Sequence, residues 1–285
     1  MTALEQEWFR IWQDQPNVWI IEEPLHSEQV KSYLVLGRER AVLIDTGMGV
    51  SNLREVVIAR TELPIIVLQS HAHNDHVGSA WQFEDVAIHE TEAAALAAGQ
   101  SAERLARWFA PAQMSGPLPT GFNPVGYSIP GKEPTSFLRD GDLIDLGGTV
   151  LQVLHCPGHS AGGLVFFDRA QRTLFSTDVV YLRQLYLLNP DSSVADYVTS
   201  LDRLAALAPH MDRLYPSHGP SPIEPDWIPK MAEGMVAILR GRRPDRTELL
   251  PVIEGGRQDV PRRSAIEVHD FGEFEVLIGK WKTGE

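Results

Sequence analysis

The apolar run at residues 64–69 passes directly into Ser70-His71-Ala72-His73-Asn74-Asp75-His76. No other feature limits the fold so tightly. The run has the length of a strand and reads as a central strand covered on both sides. Such strands belong to layered α/β folds, whose ligands gather beyond the carboxyl ends of the strands. The histidine-rich segment stands at such an end. In an extended loop residues i and i+2 point the same way, so His71 and His73 can grip one ion. Asp75 and His76 lie where the chain turns into the next helix and can face a neighbouring ion.

The same arrangement recurs three times. Residues 150–156, 173–176 and 213–215 read as strands. The loops after them are Pro157-Gly158-His159-Ser160, Ser176-Thr177-Asp178 and Pro216-Ser217-His218-Gly219, each offering one imidazole or carboxylate. Further strands are expected at 17–22, 32–36, 41–45, 86–89, 143–146 and 164–167. Helices are expected at 52–60 (capped by Ser51), 78–83, 90–98 (closed by Gly99), 101–109, 194–208 and 226–239. A terminal hairpin is expected around Gly272. Residues 111–134 break the regularity with six prolines and four glycines. Long irregular segments of this kind often serve as lids or binding loops.

Length and composition exclude several classes. A chain of 285 residues can form two domains or one layered domain. We read residues 1–285 as a single domain with a loop insertion at 111–134 and a helix-plus-hairpin extension at 221–285. The apolar stretches fall far short of the roughly 20 residues a membrane-spanning helix needs. Glu5, Glu7 and Arg10 interrupt the N-terminus, so it lacks the apolar core of a secretory signal. Cys156 is the only cysteine, which excludes an internal disulfide and points to a reducing cytoplasm. A net charge of −13 argues against nucleic acid as a partner.

The ordered set H-x-H-x-D-H, P-G-H-S, an aspartate after a short strand and S-H-G resembles the signature of the metallo-β-lactamase-fold hydrolases. The resemblance covers roughly residues 17–220. Leu43-Ile44-Asp45-Thr46-Gly47 matches the family's early aspartate motif, and Ser70 replaces the commoner threonine before the histidines. The resemblance implies an α/β fold, a four-layer αβ/βα sandwich of two mixed β-sheets flanked by helices. It also implies two metal sites. His71, His73 and His159 would hold the first, Asp75, His76 and His218 the second, and Asp178 would bridge them. Asp45 would support them from behind. Imidazole and carboxylate ligands suit two zinc ions per chain, with iron or manganese as alternatives.

Departures within the signature select among branches. Asp178, not a cysteine, holds the bridging position, which argues against the β-lactamases proper. Nuclease branches carry nucleic-acid-binding arms. The flavin-bearing branch appends a flavin domain, for which the roughly 65 residues after His218 leave no room. The remaining resemblance is to the glyoxalase II, acyl-coenzyme A thioesterase and lactonase branches. It implies that a hydroxide shared by two metals attacks the carbonyl of a small-molecule thioester, ester or lactone. The alternative is a single-iron persulfide dioxygenase, and a non-catalytic zinc protein is a third reading.

Asp75 and Tyr181 are the catalytic candidates. In lactone hydrolases of this family a tyrosine three residues after the bridging aspartate points at the substrate carbonyl, although Tyr181 could equally pack in the core. Trp108, Phe109, Phe122 and Tyr127 are expected to shape an acyl pocket under the 111–134 segment, and His26 to stand near the metal mouth. His89 and His155 read as packing residues, His210 and His269 as surface residues, and Cys156 as an inert buried thiol. The sequence gives no indication of oligomeric state.

Overall fold

The computed structural model describes residues 7–249 and 262–282. Met1 to Gln6, and with them most of the N-terminal segment considered above, lie outside the described residues, as does the middle of the 221–285 extension.

Seven strands form the first sheet, in the order β1 (Arg10–Gln15), β2 (Val18–Glu22), β3 (Lys31–Leu36), β4 (Ala41–Ile44), β5 (Ile65–Leu68), β6 (Asp85–His89) and β7 (Ser136–Leu138). Pairing is antiparallel through β4 and parallel from there to β7. The second sheet runs β13 (Arg213–Pro216), β11 (Thr173–Thr177), β10 (Leu164–Asp168), β9 (Val150–His155) and β8 (Leu143–Asp145).

Side-chain alternation along the strands divides the core into layers. Val42 and Ile44 of β4 pack between the sheets with Leu164 and Phe166 of β10. Ala41 and Leu43 face the opposite way, onto helices α1 (Leu53–Ile58), α3 (Ala93–Ala98) and α4 (Ala102–Leu105). Val165 and Phe167 turn outward onto α5 (Val194–Leu207) and α6 (Trp227–Leu239). Helix, sheet, sheet and helix are therefore stacked in four layers, as the resemblance implies. No helix among the described residues is long and apolar enough to cross a membrane.

Several local expectations need correction. Asn52, not Ser51, caps α1 by accepting the Glu55 N–H. The expected helix at 78–83 is one short 3-10 turn at Ala80–Gln82, and the helix at 101–109 keeps regular form only over Ala102–Leu105. Strands β1 and β7 were not anticipated. Neither was a third, four-stranded sheet of β12 (Gln184–Leu187), β16 (Glu275–Lys282), β15 (Arg262–Asp270) and β14 (Arg246–Leu249). The C-terminal hairpin does form around Gly272, but β16 pairs in parallel with β12 and so docks beside the second sheet's helices. His269 is buried on β15, not on the surface.

Candidate metal centre

Every expected ligand stands just past the end of a strand, along one edge of the sandwich. His71 and His73 follow β5, and Asp75 and His76 begin the short helix α2 (Asn74–Val77). His159 follows β9, Asp178 follows β11 and His218 follows β13. Two local devices aim these loops. Thr177 has φ +46°, a left-handed conformation that is costly for a β-branched residue. It turns the chain so that Asp178 points inward, and its hydroxyl is tied to Leu164 O at 2.8 Å. Gly158 has φ +143°, and a Cβ there would lie 2.5 Å from Tyr197 Cα, so only glycine lets α5 seat against the loop carrying His159.

The structure brings all seven side chains together. The ligand atoms of His71, His73 and His159 form one group, those of Asp75, His76 and His218 a second, and those of His71, His76 and Asp178 a third; within each the atoms lie within 4.8 Å of one another. Asp178 is the hub. Its Oδ1 is 3.4 Å from His76 Nε2, and its Oδ2 is 3.2 Å from His218 Nε2 and 3.5 Å from His159 Nε2. Asp75 Oδ2 lies 3.4 Å from both His76 Nε2 and His218 Nε2.

Hydrogen bonds behind the ligands fix which nitrogen faces the centre. His159 Nδ1 donates to Tyr186 O at 2.7 Å and His218 Nδ1 to Glu28 O at 2.8 Å. His76 Nδ1 donates to Asp45 Oδ2 at 2.8 Å. Asp45 also accepts from Ser70 N and Ser70 Oγ, both at 2.7 Å, and Ser70 Oγ in turn accepts from His71 Nδ1 at 2.9 Å. One buried carboxylate thus stands behind two of the candidate ligands, His76 directly and His71 through Ser70. In all four histidines Nε2 is left to face the centre. His73 is the exception: its Nδ1 points inward, 2.9 Å from His159 Nε2, and its Nε2 meets the Asn189 carboxamide at 2.7 Å.

The residues fit divalent metals on an observation of their own. His71 Nε2, His76 Nε2 and Asp178 Oδ1 are buried and have no hydrogen-bond partner among the described residues, an arrangement that costs about 1–3 kcal/mol per group unless a ligand satisfies it. For His71 and His73 the electrostatics point the same way. Burial holds His71 well below the ordinary imidazole value and His73 down at about 3, with neighbouring imidazoles adding to the effect. Both are neutral, as ligation requires. Burial opposes charge on His76 and His218 too, but there Asp178 and Asp75 prevail. His76 is raised well above its usual value and His218 to about 9. Asp178 is itself held well below the carboxylate range by His218 and His76, against the cost of its burial.

A cleft of about 600 Å³ opens over the centre. His73, Asp75, His159, Asp178 and His218 lie on its floor, and Trp108, Tyr186 and Leu188 give its walls apolar surface. Five expectations at the pocket need correction. The Tyr181 ring lines the cleft and packs 5.3 Å from the His218 ring, but its hydroxyl donates to Gln184 O at 2.5 Å. The phenol is committed to the backbone and is not aimed at a bound carbonyl. His26 is buried and spans the rim, donating from Nε2 to Trp108 O and accepting the Glu28 N–H at Nδ1, so it braces the wall without facing the cleft. Phe109, Phe122 and Tyr127 pack on one another and on the outer core, away from the cleft, and Tyr127 donates to Met48 O at 2.6 Å. Of the expected aromatic set only Trp108 faces the centre. The 111–134 segment reaches the cleft through Gln113 and is pinned by bridges from Met114 to His26 and from Ile129 to Gln100.

Sequence reasoning missed Asn189, Tyr186 and Glu28, each of which holds a ligand histidine through a side-chain or backbone atom. Nothing local marks them, because each meets its histidine across dozens of residues or more. Cys156 is fully buried, and burial pushes its thiol up to about 12, in keeping with the inert reading. His89 and His155 stack on one another at 4.3 Å.

A profile of the metallo-beta-lactamase superfamily matches residues 27–218. The acyl-coenzyme A thioesterase MBLAC2 of Homo sapiens is 34% identical over 215 residues, which span 70% of this chain and 77% of that protein. The protein of the same name from Gallus gallus is 33% identical over 231 residues, or 76% of this chain and 82% of that one. A metallo-beta-lactamase from Pontibacter korlensis superposes with a TM-score of 0.59 at 20% identity, covering 82% of this chain and 100% of that chain, a likeness of fold. With the fold, the convergent ligands and these relatives in agreement, the chain belongs to the metallo-beta-lactamase superfamily and is a hydrolase of that family.

Proposed function

We propose that the chain hydrolyses acyl thioesters of a coenzyme A-type thiol, using two zinc ions held by His71, His73 and His159 on one side and Asp75, His76 and His218 on the other, with Asp178 between them. The observation that carries this reading is the position of Asp178, whose two oxygens reach toward histidines of both groups. The acyl-coenzyme A thioesterases among the relatives support the choice of substrate. Bound metal would supply Lewis acidity toward a carbonyl oxygen and make a neutral-pH nucleophile of water.

The protein's own part is positioning. Asp45, Tyr186, Glu28 and Asn189 hold the imidazoles in place. With Nδ1 of His73 as ligand, its Nε2 carries the proton, and the Asn189 carboxamide, whose Nδ2 stands 2.7 Å away, turns its oxygen to accept it. Asp75 sits against both His76 and His218 and can take the proton of the attacking water. Trp108, Tyr186 and Leu188 exclude water and receive the acyl chain. The single buried thiol suits a reducing cytoplasm.

Zinc-loaded protein assayed on acyl-coenzyme A thioesters, carboxylic esters, lactones and β-lactams tests the reading. Thioester turnover at least tenfold above the other classes is expected. Absence of thiol release across the thioesters contradicts it, and oxygen uptake with a persulfide by an iron-loaded form would favour the dioxygenase instead.

A further inference from the structure

Two arginines line the cleft, and the chemistry above uses neither. Arg183 lies on the approach to β12. Its Nη1 donates to Ser27 O at 2.9 Å and to Gln29 Oε1 at 3.4 Å, which fixes the guanidinium at the rim. A guanidinium has five N–H donors, so those on Nε and Nη2 remain for a ligand. Arg104 stands in the last turn of α4, one turn before Trp108. Its guanidinium makes no hydrogen bond or ion pair with any described residue, and both arginines are solvent-exposed. They are the only cationic Lys or Arg side chains among the described residues lining the cleft.

Their surroundings make this placement informative. The chain carries a net charge of −13, and Glu28, Asp75 and Asp178 all line the same cleft. A substrate bearing several negative charges would be repelled by that field unless local cations met it. A neutral acyl chain has no use for exposed guanidinium groups, whereas their planar forks match phosphate oxygens. The metal ligands occupy the floor and the arginines the rim, so the anion they hold belongs to the part of the substrate that projects outward.

We propose that Arg104 and Arg183 form an anion subsite at the rim of the cleft that takes phosphate groups on the thiol half of the substrate. The proposal rests on the thioester reading above. It makes the leaving group, and not the acyl chain, the part of the substrate recognised by charge.

The test compares wild type with Arg104→Ala and Arg104→Glu in the zinc-loaded protein. The Arg104 guanidinium makes no polar contact with any described residue, so its replacement does not threaten folding. Free coenzyme A binding is measured by calorimetry, and kcat/KM is measured for one acyl group carried by coenzyme A or by phosphate-free N-acetylcysteamine. We expect the kcat/KM ratio between the two thioesters to fall about tenfold in Arg104→Ala and further in Arg104→Glu, through KM. Coenzyme A binding should weaken by a similar factor. An unchanged ratio, with thioester turnover intact, overturns the subsite and leaves the thioester reading standing. If neither thioester is hydrolysed, that reading fails, and the subsite is still decided by calorimetry: weaker coenzyme A binding in the variants supports it, and equal or absent binding overturns it. A selective loss on an N-acetylcysteamine thioester with a carboxylate-ended acyl chain also overturns it, because the anion would then lie on the acyl half.

Discussion

The floor of the cleft rests on strand ends, and the hydrogen bonds behind its imidazoles are buried or nearly so; the walls come from segments that meet only through long-range packing. On the floor, Asp45, Ser70, Tyr186 and Glu28 hold His76, His71, His159 and His218 from behind. The walls combine β12 of the third sheet, the turn after α4 and Gln113 of the proline-rich segment. The difference separates two tasks. A metal centre needs ligands fixed to fractions of an ångström, and rigid strand ends with supporting hydrogen bonds deliver that. Substrate selection is left to wall side chains that can change without disturbing the ligands, although β12 serves both tasks because the Tyr186 carbonyl holds His159.

Mutations on the floor should therefore cost metal and chemistry together, and mutations on the walls should cost neither. Asp178→Ala removes the carboxylate that reaches both ligand groups. Metal analysis and thioester turnover on the same preparation should show metal lost and a rate reduction on the order of a thousandfold. A rate within tenfold of wild type would break the comparison at its strongest point.

Asp45→Ala touches no metal position but leaves Ser70 N, Ser70 Oγ and His76 Nδ1 without their acceptor. Unfolding by urea should reveal a loss of about 3–5 kcal/mol, the cost of breaking a buried charged pair. Chelator competition should show zinc held about 10–100-fold more weakly. Stability lost with affinity retained would mean that Asp45 serves the fold alone.

The smallest effect is expected for Tyr181→Phe. Its hydroxyl is bonded to Gln184 O, so the change should cost about 1 kcal/mol of stability. Turnover per metal-loaded molecule should stay within a factor of about two. A rate loss of about 5- to 30-fold at constant metal content would show that the phenol reaches the substrate after all, at about 1–2 kcal/mol of barrier.

The same division explains what could be read from the sequence. His71 to His76 are local in the chain, and the other candidate ligands each follow a recognisable strand, so strand periodicity and residue chemistry bring them forward, while their division into two groups comes from the family resemblance. Asp45 is legible only through the resemblance of Leu43-Ile44-Asp45-Thr46-Gly47 to the family's early aspartate motif. The walls are not. β12 is four residues long and half-buried, and its partner β16 lies about 90 residues away, so neither periodicity nor a turn signal marks the pairing. Phe109, Phe122 and Tyr127 are aromatic residues in and beside a loop, and composition does not say that they pack on each other rather than around a ligand. His269 has a strand neighbourhood like any exposed position and is buried only because the third sheet forms.

Zinc titration of chelator-treated protein, with bound metal counted by mass spectrometry as thioester turnover is followed, tests the central claim most directly. The account predicts two zinc ions per chain, with turnover rising until the second is bound and with Asp178→Ala unable to follow that curve. Full turnover at one metal per chain would contradict it.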